Sequence, residues 1–261
     1  MDAVNLHFCH ANGFPARSYD IMLNRLSEQF NVSFLEMHGH QSQYPVSNNW
    51  PHLVDELIDE IKKRHQQPII AIGHSMGGVL IFLAAQKKPE LFKHIILLDP
   101  PLLDRITSSI IGFAKHFKLI DKITPAGRTQ GRLDVFDNHD HAFDYFSGKS
   151  LFKKADPRCV RDYILHGTEP VSDGLKLKYA VDTEVAIYRT LPSNILLNDS
   201  AIPVPTTLLY GQSSDVVRPA LIRKLKNKHA INVMEVSGGH LFPLELPEQT
   251  ADHIRAIIEA L

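Results

Sequence analysis

The chain has 261 residues, 44% of them hydrophobic, enough for one α/β domain of ordinary size with a sizeable insertion. Its net charge of −1 gives no reason to expect nucleic acid or a membrane surface as a partner. Cys9 and Cys159 form neither a disulfide framework nor a metal-ligand spacing, and no apolar run approaches the roughly 18 residues of a membrane span. Met1-Asp2-Ala3-Val4-Asn5 carries no basic leader pattern, so a cytoplasmic protein with reduced thiols is expected.

In chain order, Asn5–Cys9 reads as a short strand ending in the turn-rich His10-Ala11-Asn12-Gly13-Phe14-Pro15. Ser18 is placed to cap a helix whose apolar positions are Tyr19, Met22, Leu23 and Leu26. Val32–Met37 is a second strand. A helix follows over Trp50–Arg64, with Leu53, Leu57, Ile58 and Ile61 as its apolar stripe. Pro68–Ile72 is a short apolar strand, followed by a tight turn and a helix ending near Lys88-Pro89. His94–Asp99 is the next strand. Near-continuous apolar strands separated by amphipathic helices mark a mainly parallel sheet covered on both faces.

Between Leu102 and Ser200 this alternation stops. Ile106, Ile110, Ile111, Phe113, Phe117 and Ile120 suggest one or two amphipathic helices; Pro157–His166 and Asp182–Leu191 suggest others. The α/β pattern resumes with a strand over Val204–Gly211, a helix near Pro219–Lys228, a strand over Ile231–Val236 and a last helix over Glu248–Ala260. The expected organisation is an α/β core of residues 1–101 and 201–261, interrupted by a mostly helical insertion, 102–200. Asp137-Asn138-His139-Asp140-His141 reads as a solvated polar loop, since no further ligand pattern makes it a metal site.

The chemistry centres on Gly73-His74-Ser75-Met76-Gly77. A serine at the apex of a strand-to-helix turn, with glycines two before and two after, is the nucleophile-elbow pattern. A serine hydroxyl needs a base to take its proton and an acid to orient that base. In the order serine, acid, histidine, each just beyond a later strand, the sequence offers Asp215 and His240. Asp99, at the end of the strand after the elbow strand, is the alternative acid. An oxyanion needs aimed backbone N–H donors, here Met76 at the helix start and Phe14 in the loop after the first strand.

These landmarks, with Gly39-His40-Gln41-Ser42, resemble the α/β-hydrolase superfamily over the whole chain; 102–200 matches only in position, as the family's cap domain. Two departures stand out. The chain as read begins on the strand that carries the oxyanion loop, so a sheet of about six strands is expected, with Val32–Met37 at one edge. A loop, a helix or a second subunit in a homodimer must cover that edge. The usual His-Gly pair is Asn12-Gly13. The resemblance implies a serine hydrolase without metal or organic cofactor, with a cap roofing the pocket for a small-molecule substrate. An ester or thioester of a small to medium hydrophobic group is the first expectation, from the apolar residues of the insertion (Ile110, Ile111, Phe113, Phe117, Leu119). Those residues would equally serve as the cap's own core. A carbon–carbon bond hydrolase, a lyase or a cofactor-free perhydrolase would use the same residues. A non-catalytic small-ligand binder would leave Ser75 idle.

Overall fold

A computed structural model describes residues 4–193, 202–229 and 231–261. The chain opens with β1 (Asn5–Cys9), α1 (Asp20–Ser27), β2 (Asn31–Phe34), α2 (Pro51–Arg64), β3 (Ile69–His74), α3 (Met76–Lys87) and β4 (Phe92–Leu98). The insertion holds α4 (Arg105–His116), α5 (Ile120–Ile123), α6 (Ala126–Thr129), β5 (Val135–Phe136), α7 (His139–Ser147), α8 (Pro157–Gly167), β6 (Thr168–Val171), β7 (Gly174–Leu177) and α9 (Val181–Arg189). The chain closes with β8 (Thr206–Gly211), α10 (Pro219–His229), β9 (Asn232–Val236), α11 (Phe242–Glu245) and α12 (Pro247–Glu259).

The main sheet has six strands in the order β2-β1-β3-β4-β8-β9, all paired in parallel. The period-two rule sorts its side chains. Ile70 and Ile72 of β3, with Ile96 and Leu98 of β4, face α1 and α12; Ile69, Ala71, Ile95 and Leu97 face α2, α3 and α10. Both faces are covered, which explains the unbroken apolar runs. As expected, β2 lies at one edge. A cleft of about 660 Å³ runs along it, lined by residues 31–36 with Arg64 and His65.

One local expectation is corrected. Ser18 does not cap α1: residues 16–19 form a 3₁₀ turn, and Ser18 Oγ is buried without a partner. The insertion is mostly helical, and within it β5, β7 and β6 form a three-stranded antiparallel sheet. The β6–β7 hairpin turns on Ser172-Asp173 before Gly174, a turn signal visible in the sequence. The insertion's expected end, at 200, lies outside the described residues.

The insertion is joined to the core through the loop after β1. The Phe14 ring packs 5.4 Å from both Phe152 and Tyr163, within a cluster that includes Phe146 and Phe136. The 3₁₀ turn after Phe14 packs against α8.

Candidate active site

The carboxyl ends of the parallel strands bring the chemistry together, as open α/β sheets do. Ser75 joins β3 to α3 with φ 52° and ψ −114°, a conformation that costs an L-residue about 1–3 kcal/mol. Its neighbours explain the spacing of the glycines. A Cβ on Gly77 would stand 2.1 Å from the Cys9 oxygen, and one on Gly73 would stand 2.5 Å from the carbonyl of Gly77. The turn closes only without those atoms. The Ser75 N–H donates to Leu98 O and the Gly77 N–H to His10 O, tying the elbow to the strands on either side.

His240 follows β9 and sits against this serine. Its Nε2 is 3.0 Å from Ser75 Oγ and its Nδ1 is 2.6 Å from Asp99 Oδ2. The acid beside His240 is therefore Asp99 rather than Asp215. Asp99 is fully buried, with φ 46° turning it under the sheet edge. Its carboxylate also accepts from Ser214 Oγ at 2.5 Å and from the Gly211 N–H at 3.4 Å. The turn after β8 accounts for the exchange. The N–H groups of Gln212, Ser213 and Ser214 donate to Val236, Gly238 and Gly211, which swings Ser214 inward onto Asp99. One residue later, Asp215 is exposed and makes no hydrogen bond or ion pair among the described residues.

His74 is a fixed brace. Burial, with His240 adding to it, holds its pKa down to about 3, so its ring is neutral. Its Nε2 is 2.8 Å from the His240 main-chain oxygen, and the Tyr19 hydroxyl donates to its Nδ1 at 2.7 Å.

The two expected oxyanion donors stand differently. The Met76 N–H, first in α3, has no hydrogen-bond partner among the described residues, and the helix dipole adds to its pull on an anion. The Phe14 N–H donates to Ala11 O at 3.1 Å, closing a tight turn with Gly13 at φ 81°. Of the two, only the Met76 donor is uncommitted.

A polar cluster whose members are far apart in the sequence, with no local motif to join them, holds this loop from above. Asn12 Nδ2 donates to the Glu184 main-chain oxygen at 3.0 Å, and the Tyr179 hydroxyl donates to Asn12 Oδ1 at 3.1 Å. A Cβ on Gly13 would stand 2.7 Å from Glu184 Cδ. Burial raises the Glu184 carboxyl pKa, and the Arg132 guanidinium, 2.7 Å away, opposes that rise. Behind the loop, His38 Nδ1 lies 2.9 Å from Glu56 Oε2, and the His38 N–H donates to His10 Nε2 at 2.8 Å.

Among the described residues no group of three His, Cys, Asp or Glu side chains is placed to hold a metal ion. Residues 139–141 start α7, with Asn138 capping the His141 N–H at 2.9 Å. Cys9 and Cys159 are free and buried, and burial lifts the Cys159 thiol to about 12.

A family model described as "Alpha/beta hydrolase family" matches residues 8–253. A type I acyl-CoA thioesterase of Penicillium roqueforti (strain FM164) is 26% identical over 175 residues, 61% of this chain and 38% of that protein. The monoglyceride lipase of Rattus norvegicus is 26% identical over 203 residues, covering 74% of this chain and 63% of the lipase. The chain thus spans between about two fifths and two thirds of the length of these two curated relatives. A crystal structure of E-2-(acetamidomethylene)succinate hydrolase superposes with a TM-score of 0.80 at 20% identity, covering 98% of this chain and 91% of that one.

Proposed function

The chain belongs to the alpha/beta hydrolase family, and on that premise we propose that it is a serine hydrolase of a small-molecule carboxylic ester or thioester. One observation carries the proposal: His240 lies between Ser75 Oγ and the buried Asp99 carboxylate, at 3.0 and 2.6 Å. The thioesterase and lipase relatives support ester or thioester cleavage at that coarse level.

The steps follow from the geometry. His240 Nδ1–H donates to Asp99, so Nε2 is free to take the Ser75 proton as Oγ attacks the acyl carbon. The carbonyl oxygen becomes an oxyanion, which the Met76 N–H receives at the positive end of α3. The Phe14 N–H contributes only as a donor shared with Ala11 O. As the tetrahedral intermediate collapses, His240 returns the proton to the leaving alcohol or thiol and an acyl-Ser75 remains. A water, deprotonated by His240, attacks that acyl group; the acid product leaves and Ser75 is restored.

The test is a panel of p-nitrophenyl esters and acyl-CoA thioesters of graded chain length, alongside labelling by a fluorophosphonate. Turnover of at least one class, with label confined to Ser75 and both lost in Ser75→Ala, is the expected result. No turnover and no label would overturn it.

A further inference from the structure

Helix α4 carries an apolar stripe that the described residues leave uncovered. Ile106, Ile110, Phe113 and Phe117 recur on one helical face and are 74%, 54%, 59% and 54% exposed. The Phe113 and Phe117 rings lie 4.3 Å apart, tilted at 41°, and Leu119 and Ile123 extend the exposed run past the helix end. The expected roles as pocket lining or cap core fall to Ile111 alone, which packs with Leu103, Ala114 and Ile120 on the other side of α4. Scattered exposed apolar side chains are ordinary, but a contiguous set on one helix marks a contact surface.

The charges around the stripe select the partner. Every exposed Lys, Arg, Asp or Glu between residues 105 and 128 is basic: Lys118, Lys122 and Arg128, with Arg105 already partnered. The acids of this region are half-buried and engaged, Asp104 capping the Thr107 N–H and Asp121 pairing with Arg189. A second copy docked through the same face would set these cations against each other. We propose that the α4 face docks peripherally on an anionic phospholipid surface, the apolar stripe entering the interface and the basic residues meeting the headgroups. The whole-chain charge of −1 does not oppose this, because at physiological salt a field acts over roughly 8 Å. This docking is independent of the hydrolytic reading and needs no turnover to be seen.

The test is co-sedimentation of the whole protein with phosphatidylglycerol–phosphatidylcholine vesicles and with pure phosphatidylcholine vesicles. Binding to the anionic vesicles is expected, weakened at least tenfold in F113S/F117S and by 0.5 M salt, and weaker in K118E/K122E. L165S, which removes an exposed leucine of α8, should bind as wild type. Thermal unfolding shows whether each variant is folded. Equal binding by wild type and folded F113S/F117S would overturn the proposal, as would no binding to anionic vesicles. A wild-type dimer that the double variant converts to monomer would assign the face to a second copy instead.

Discussion

His74 Nε2 lies 2.8 Å from the main-chain oxygen of His240, while the Tyr19 hydroxyl lies 2.7 Å from His74 Nδ1. A carbonyl can only accept, so Nε2 carries the ring proton and Tyr19 donates to Nδ1. The residue before Ser75 thereby holds the backbone of His240. His74→Ala removes that brace and leaves a part-buried carbonyl unpaired, at a stability cost of about 1 kcal/mol. We expect kcat to fall at least tenfold with KM nearly unchanged, because His74 itself has no part in substrate binding in this scheme. Steady-state kinetics on a turned-over ester, with thermal unfolding of the same variant, check both. An unchanged kcat would show that the His240 loop holds itself.

Asp99 and Asp215, two acids on neighbouring loops, should respond differently to loss of charge. Asp99→Asn keeps the shape but removes the charge that orients His240 and balances its protonated form. A loss of about 10⁴-fold in kcat is the scale for such a change. Asp215→Asn should leave kcat within about twofold, since an exposed side chain without partners is changed. Comparable losses in the two variants would sink the assignment of Asp99.

How much of this was legible in the sequence depends on the range of each constraint. The elbow is local: Gly73 and Gly77 are demanded by atoms within a few residues or on the adjoining strand, so the pattern exposes Ser75 directly. The order of strands and the loop after β9 lead to His240. The choice between Asp99 and Asp215 depends on which loop turns toward His240, and although Asp tolerates a φ of 46°, its presence alone does not announce one. Asn12 and Glu184 are 172 residues apart, and no local pattern joins them. The periodicity of α4 shows an apolar face, but the same spacing serves a face that is buried and one that is bare.

Three of the buried histidines should make the fold acid-sensitive. Burial holds His7 and His10 well below 6.5, and His74 at about 3. Above pH 6.5 neither the folded nor the unfolded chain protonates them, so they add no pH dependence there. Below it the unfolded chain binds protons that the folded chain refuses, and stability falls as pH falls. Each group contributes about 1.4 kcal/mol per pH unit, roughly 4 kcal/mol per unit for the three together. Urea midpoints between pH 6.5 and 5 should drop steeply. His7→Leu, which removes one of these groups, should flatten the drop. A flat profile over that interval would mean that these rings titrate in the fold.

The Arg132–Glu184 pair tests the support above the loop after β1. Glu184 is 5% exposed and its carboxylate presses on Gly13, with Arg132 Nη2 at 2.7 Å. Arg132→Met leaves that carboxylate buried without its cation, a change that costs about 3–5 kcal/mol in comparable pairs. Arg132→Met with Glu184→Gln should recover much of that stability, because no buried charge is then left alone. The double variant keeps the Asn12 bond to the Glu184 main chain, so its kcat should exceed that of Asn12→Ala, which cuts the bond and frees the loop. Thermal melts and kcat values of these three variants measure the two roles separately. If the double variant is no more stable than Arg132→Met, the pair is not coupled. If Asn12→Ala retains full kcat, the loop does not need its tie to α9.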